Sequence, residues 1–98
     1  METYTLCYNT LQVFDSKAVA LAFYKECYYC SEGSEHERYA NIIIDLFHKN
    51  IGRDYVGEMV FDIRYNKNGK IETKKLNKPL PLGKAIEYYK ENIKEKRN

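Results

Sequence analysis

The sequence predicts an α+β fold: a single small domain over residues 1–98, in which a three-stranded antiparallel sheet packs against helices. Segments that alternate apolar and polar residues, which is typical of half-buried strands, are separated by segments whose apolar residues recur every three or four positions, which is typical of helices. The 98 residues suffice for one domain, and 44% hydrophobic with 31% charged residues provides both a core and a hydrated surface. The predicted element order is β-α-α-β-β-α.

The first half of the chain is predicted to form one strand and two helices. Residues 3–11 alternate Tyr and Leu with Thr and Cys and are predicted to form the strand. Asp15 is placed to cap the helix that follows, which we expect to run to about Cys30. Its first half is apolar on nearly every face, so we expect it to be covered on more than one side. A capping box beginning at Ser34 starts the second helix, which we expect to end near Gly52.

A β-hairpin is predicted over residues 59–76, where two alternating segments flank the sequence Asn-Lys-Asn-Gly. A three-residue loop with a bulge at Gly69 would pair Tyr65 with Ile71 and keep each face of the hairpin consistent. A two-residue turn would instead place Tyr65 opposite Glu72, a charge on the apolar face. We therefore expect the three-residue loop.

The last predicted element is a helix. Pro79 and Pro81 are expected to end the second hairpin strand before it. Four apolar residues spaced four, three and four apart then form its inner stripe. These residues are Leu82, Ile86, Tyr89 and Ile93.

The composition predicts a cytoplasmic protein with no membrane-spanning segment. The longest apolar run, residues 18–24, has seven residues, whereas a span needs about 20, and no leader sequence opens the chain. Three cysteines are too few for a disulfide scaffold and fit a reducing compartment.

Basic residues are concentrated in the last third of the chain. From Arg64 onward there are eleven Lys and Arg against four Asp and Glu, although the whole chain carries a net charge of only +2. This indicates either an anionic partner, which would be nucleic acid or an acidic protein surface, or a hydrated lysine-rich surface. The residues expected to contact such a partner lie on the hairpin and the last helix: Arg64, Lys67, Lys70, Lys74, Lys75, Lys78, Tyr88, Lys90 and Lys94.

Lysine in this pattern is typical of contacts to phosphate groups rather than to bases. Lysines neutralise phosphates without distinguishing sequence, whereas bidentate contacts to base edges favour arginine. Arginine occurs only at Arg38, Arg53, Arg64 and Arg97. We therefore do not expect sequence-specific recognition of DNA.

The sequence predicts no metal, no cofactor and no catalytic site. Cys27 and Cys30 form a CxxC motif upstream of His36 and His48, but the two histidines are twelve residues apart on one predicted helix. A rise of about 18 Å would separate them, so they cannot share a zinc ion. The cysteine pair lies at the end of a helix, where the helix dipole opposes a reactive thiolate. No motif places a nucleophile beside a base, so we expect a binding protein and not an enzyme.

Residues 27–42, with the sequence CYYCSEGSEHERYANI, resemble small proteins carried on plasmids, conjugative elements and phages of Gram-positive bacteria. Several such proteins inhibit CRISPR effector nucleases, and the chain resembles the type II-A anti-CRISPR inhibitors. The resemblance implies a stoichiometric inhibitor that binds the effector nuclease or its guide RNA and blocks assembly, target binding or cleavage. It carries over no functional residue.

The basic residues refine this expectation and leave an alternative open. Many such inhibitors mimic DNA through acidic surfaces, whereas this chain is basic where they are acidic, which favours contact with guide RNA or with an acidic face of the nuclease. The alternative is a nucleic-acid-binding accessory or regulatory protein of a phage or conjugative element. Tyr28 and Tyr88 are not needed for the predicted core, so they could also mediate a homodimer.

Overall fold

The structure is a computed structural model that describes residues 1–94; Lys96 and Arg97, which contribute to the basic last third, lie outside the described residues. The five strands form one mixed sheet in the order β3-β1-β2-β4-β5. Helices α1 and α2 pack on one side of this sheet, and α3 packs on the other. The elements are β1 (Thr3–Cys7), β2 (Thr10–Phe14), α1 (Lys17–Tyr29), α2 (Gly33–His48), β3 (Ile51–Arg53), β4 (Met59–Lys67), β5 (Lys70–Pro81) and α3 (Leu82–Tyr89), followed by a π-helical turn, Lys90–Lys94.

The predicted three-stranded antiparallel sheet with the order β-α-α-β-β-α is wrong, although the fold is a small α+β one. The observed order is β-β-α-α-β-β-β-α. Strands β1 and β3 are parallel, as are β2 and β4, so the sheet is mixed. Two errors account for the difference. The segment predicted to be the first strand is a hairpin of β1 and β2, and the short edge strand β3, which follows α2, was assigned to the end of that helix.

The chain reverses direction between β1 and β2 at Tyr8 and Asn9. Their φ angles of 51° and 64° are both left-handed, which is the type I′ geometry that suits the twist of a two-residue hairpin. The Asn9 side chain donates to the backbone carbonyl of Met59 at 2.8 Å, and the Asn9 backbone carbonyl accepts from the N–H of Phe61 at 2.8 Å. Contacts made 50 residues away thus support a turn that lacks the usual Asn-Gly sequence.

The β4–β5 hairpin is confirmed as an element, but its predicted register is wrong. Asn68 and Gly69, with φ angles of 53° and 83°, form a two-residue turn, so that Tyr65 pairs with Glu72. Residues 70–75 of β5 are exposed on both faces of the strand. The Glu72 carboxylate therefore stays hydrated although it lies opposite Tyr65, and this register carries no desolvation cost. The Tyr65 hydroxyl in fact donates to Glu72 at 3.3 Å.

Strand β5 runs through Pro79 and ends at Pro81, so of the two prolines predicted to end it only the second does so. The pairing with β4 shifts between Val60 and Asp62, and residues 76–79 have no register partner, so Pro79 falls where no ladder hydrogen bond is required of it.

Two hydrophobic cores lie on opposite sides of the sheet. The α3-side core contains the predicted inner stripe of α3, of which Ile86, Tyr89 and Ile93 are buried and Leu82 partly so. The α1/α2-side core consists of Phe14, Ala20, Tyr24, Ile42 and Leu46.

The helices begin and end close to their predicted bounds, with different caps. Ser16, not Asp15, caps α1, because its hydroxyl accepts from the N–H of Val19 at 3.2 Å. The N-cap of α2 is Glu32, which makes no side-chain capping bond, and α2 ends at His48 instead of Gly52. Within residues 1–94, no helix combines the length and the apolar character needed to cross a bilayer.

Helix α1 is covered on one side only, contrary to expectation. Ala20 and Tyr24 are its buried residues, whereas Val19 and Phe23 are 53% and 41% exposed. Helix α2 packs against β3 and α1 against β2, so the α1/α2 side of β4 and β5 is left open beside α1.

Candidate functional site

The predicted basic residues of the hairpin lie on a ribbon at one edge of the sheet. We name residues 62–78 of β4 and β5 the basic ribbon. Its six cationic side chains are all exposed, and β5 is the edge strand. The cations are Arg64, Lys67, Lys70, Lys74, Lys75 and Lys78.

These cations are divided between the two faces of the ribbon and do not form a single patch. Lys74 pairs with Ile63, a residue of the α3-side core, and therefore points to the α3 side. Lys75, the next residue, points to the α1/α2 side, as does Arg64. Pairing and alternation place Lys67 and Lys70 on the same face as Lys74.

The tip of the ribbon places two lysines directly opposite each other. Lys67 and Lys70 flank the turn as register partners, and the turn is closed by a hydrogen bond of 3.0 Å from the Gly69 N–H to the Asn66 side chain. Like charges in directly opposed positions destabilise a strand pair. An anion bound between them would relieve this repulsion.

A second cationic feature lies where β5 meets α3. Lys74, Lys78 and Tyr88 line a pocket of about 190 Å³, and Tyr88 packs against the α3-side core. Lys75 also lines this pocket, so the structure brings together four of the predicted residues where β5 meets α3.

The remaining two predicted residues have contacts within the chain. Lys94 forms an ion pair of 3.1 Å with Glu2, and the Lys90 ammonium lies 5.8 Å from the centre of the Tyr4 ring. Burial raises the pKa of the Glu2 carboxyl, but hydrogen bonds from Tyr4 and Lys94 together with the Lys94 charge outweigh it, so that the pKa is lowered overall. Lys94 therefore ties the amino-terminal segment to the π-helical turn and is not part of the ribbon surface.

The two tyrosines considered for a homodimer also have intramolecular contacts. The Tyr28 ring lies 3.7 Å, centre to centre, from the His36 ring, and Tyr88 packs against the α3-side core. Both tyrosines are partly buried within the chain.

The cysteines and histidines lie where they were predicted. Cys27 is in the last turn of α1, Cys30 caps it, and His36 and His48 are both in α2. Burial raises the pKa of the Cys27 thiol, and burial together with the Asp54 charge raises that of Cys7 to about 12. Among residues 1–94, no group of three or more His, Cys, Asp or Glu side chains is placed to hold a metal ion.

A groove that sequence reasoning missed lies between α1 and β4 on the α1/α2 side. We name it the α1 groove. Its inner part measures about 190 Å³ and includes Cys27 and Tyr39, while its outer part measures about 360 Å³ and includes Ile71. Both parts are lined by Gln12, Phe23 and Arg64.

Two groove residues were singled out from the sequence: Arg64 as a binding residue and Cys27 as part of the CxxC motif. Gln12 was not, because residues 12–14 were not assigned to a strand, and Phe23 was expected to be covered. A strand assignment for β2 would have placed Gln12 in the sheet, but its position beside Arg64, as register partners on neighbouring parallel strands, has no signal in the sequence.

Comparisons with family models, with curated proteins and with solved structures gave no match. The class of this protein therefore follows from its fold and surface alone: a small α+β protein with a cationic edge ribbon and an adjoining groove.

Proposed function

We propose that this protein is a non-catalytic binding protein whose basic ribbon contacts the phosphate backbone of a nucleic acid. The observation that supports this most directly is the set of exposed cations on both faces of the ribbon, including the directly opposed Lys67 and Lys70. Phosphate contacts neutralise lysines in this arrangement, and they require no particular base sequence.

The division of the cations between two faces is compatible with this role. A two-stranded ribbon that enters a groove, or lies between two strands of nucleic acid, meets phosphates on both sides. Lys74 and Lys75 are adjacent in sequence and point to opposite faces, so each would contact a different backbone. Lysines on an edge strand can also serve to prevent aggregation through strand pairing. That alternative role predicts no contact between these lysines and phosphate groups.

The more specific proposal concerns the partner. The resemblance of residues 27–42 to small mobile-element proteins, and of the chain to anti-CRISPR inhibitors, supports guide RNA as the nucleic acid. The guide RNA would be contacted either before or after it binds a CRISPR effector nuclease. The protein would then act as an inhibitor that blocks assembly of the nuclease with its guide or binding of the target. Contact with an acidic face of the nuclease would add to the same surface.

The second candidate is an accessory or regulatory protein of a phage or conjugative element that binds DNA or RNA directly. The same ribbon favours it, because lysines contact the phosphates of either nucleic acid. The two candidates differ in whether a CRISPR effector nuclease is affected.

Salt dependence tests the common part of both candidates. We expect the logarithm of the association constant for RNA to fall linearly with the logarithm of salt concentration. Lys74→Gln and Lys75→Gln should each reduce the slope by about one, because each removes one phosphate contact. Lys49→Gln, at the end of α2 near the opposite sheet edge, removes the same charge and should leave the slope unchanged. If neither RNA nor DNA is retained at low salt, the proposal is wrong.

Cleavage assays separate the two candidates. As an inhibitor, the protein should block target cleavage by a type II-A effector nuclease at molar excess, and most strongly when it is added before the guide RNA. Retention of nucleic acid without inhibition in any order of addition would support the accessory protein instead.

A further inference from the structure

We propose that the α1 groove binds an unstacked base of a single-stranded nucleic acid whose backbone lies on the basic ribbon. This inference rests on the proposed function and adds to it the strandedness of the ligand and the place where a base is held. It draws on a different part of the molecule, namely α1 and β2.

The aromatic component of the groove is Phe23. Its ring contacts those of Tyr24 and Phe14, at centroid distances of 5.0 and 5.5 Å, which hold it in place. Even so, 41% of the residue is exposed, beside Val19 at 53%. An exposed aromatic ring fixed against a sheet is the usual platform on which proteins stack single-stranded bases.

Polar groups able to recognise the edge of a base lie at the sheet surface beneath this ring. Gln12 and Arg64 are register partners on β2 and β4, and within residues 1–94 neither side chain has a hydrogen-bond or ion-pair partner. The Gln12 amide supplies both a donor and an acceptor, as the edges of bases require. The Tyr39 hydroxyl, which lines the inner part of the groove, is protonated at neutral pH and can also donate.

The groove is continuous with the ribbon through Arg64, which belongs to both. Arg64 and Lys75 are exposed on the α1/α2 side of the ribbon. A phosphate held by these two cations would lie at the mouth of the groove, from which the attached base could enter it. The outer part, about 360 Å³, falls within the range of about 300–1,000 Å³ typical of small-ligand pockets.

A pair of ligands with equal charge separates base binding from phosphate binding. The probes are an oligouridylate and an abasic oligomer of the same length. We expect the wild-type protein to bind the oligouridylate more tightly, and Phe23→Ala to weaken that binding about tenfold while leaving abasic binding unchanged. Phe47→Ala, a substitution of an exposed ring on α2 outside the groove, should change neither.

The outcomes distinguish the two proposals. If both probes bind equally and Phe23→Ala changes neither, the base site is wrong while the phosphate-binding function stands. If neither probe binds at low salt, the proposed function fails, and the base site with it. Loss of affinity for both probes in Phe23→Ala, with the fold intact by circular dichroism, would also contradict a site specific for bases.

Two further measurements do not depend on an alanine variant that could fail to fold. The chain contains no Trp, so Phe23→Trp introduces a single tryptophan, which keeps the position aromatic and serves as the fluorescent reporter. Its emission should be quenched by oligouridylate and not by the abasic oligomer; equal quenching by both would overturn the base site.

Alkylation of Cys27, which lines the inner part of the groove, should slow when oligouridylate is bound, while exposed Cys30 serves as the internal control. Unchanged rates at both cysteines would contradict entry of a base into the inner groove.

Discussion

The buried carboxylate of Asp54 accepts a hydrogen bond of 3.0 Å from the backbone N–H of Tyr8, 46 residues earlier in the chain. Asp54 is 2% exposed and also accepts from the N–H of Val56 at 3.2 Å. One carboxylate thereby fixes the turn of the first hairpin to the loop that connects β3 and β4. Hydrogen bonds from neutral donors to a charged acceptor are among the stronger ones in proteins.

Replacement of Asp54 should destabilise the protein, and the loss should be larger when fewer side-chain oxygen atoms remain to accept from the N–H groups of Tyr8 and Val56. Asp54→Ala leaves two N–H groups without their partner and should lower the free energy of unfolding by about 2–4 kcal/mol. Asp54→Asn retains one oxygen acceptor and should cost less, about 1–2 kcal/mol. Urea denaturation of both variants measures this difference, and equal losses would contradict the hydrogen-bonding role.

The first hairpin shows why part of the fold was beyond sequence reasoning. A type I′ turn is ordinarily signalled by Asn-Gly, whereas here Tyr8 adopts a φ of 51°, which is unfavourable for a residue with a Cβ. Asp54 and Met59 supply the contacts that stabilise it, and both are about 50 residues away. The helices, in contrast, were predicted because their signals are periodic and local.

The candidate site, like the fold, was predicted from the sequence only in part. The charge of the ribbon is visible in the sequence, but its distribution over two faces depends on a register set by the turn at Asn68 and Gly69. The α1 groove requires β2 and β4 to lie side by side, which no local pattern indicates. Residue types could thus be predicted, whereas their juxtaposition could not.

Gly52 in β3 should not accept a side chain. A Cβ there would lie 2.9 Å from the Ile42 carbonyl oxygen and 3.0 Å from Leu46, both in α2. Gly52→Ala should therefore push α2 away from the sheet and lower the free energy of unfolding by about 1–3 kcal/mol. Gly83→Ala in α3, where nothing lies within 4 Å, should instead stabilise by about 0.4–1 kcal/mol. Thermal unfolding of the two variants tests this, and a stabilised Gly52→Ala would contradict the packing.

Glu2 should make the stability of the protein depend on pH in the acid range. Its pKa is lower in the folded state than the ordinary 4.5, so the stability that its carboxylate contributes is present above about pH 4.5. That contribution is lost as the pH falls through the lowered folded-state pKa. At neutral pH, Glu2→Gln should lower the free energy of unfolding by at most about 1 kcal/mol, because the ion pair with Lys94 is partly hydrated.

The difference between wild type and Glu2→Gln is the quantity to measure, since the other carboxylates titrate in both proteins. Urea denaturation at about pH 7, 5 and 3 should show this difference shrinking as the pH falls. A difference that stays constant would show that Glu2 does not act through its charge.

The three cysteines should react with a thiol reagent in an order set by burial. The pKa of Cys7 is raised to about 12, so at about pH 8 only a fraction on the order of 10⁻⁴ is thiolate, the reactive form. Cys30 is exposed and should be alkylated first in the native protein. Peptide mass analysis should find Cys7 modified only after unfolding in guanidinium chloride. Modification of Cys7 at the rate of Cys30 would contradict its partial burial and its raised pKa.

Charge reversal at the tip of the ribbon should separate stability from binding. Lys67→Glu replaces a directly opposed pair of like charges with an opposite pair and should raise the free energy of unfolding by about 0.2–1 kcal/mol. The same variant should bind RNA more weakly, and its salt slope should fall by about one or more, because a phosphate contact is lost. Lys49→Glu makes the same change in net charge near the opposite edge of the sheet and should leave RNA binding unaltered. A Lys67→Glu protein that is more stable and binds as tightly as wild type would mean that the tip lysines protect an edge strand and contact no phosphate.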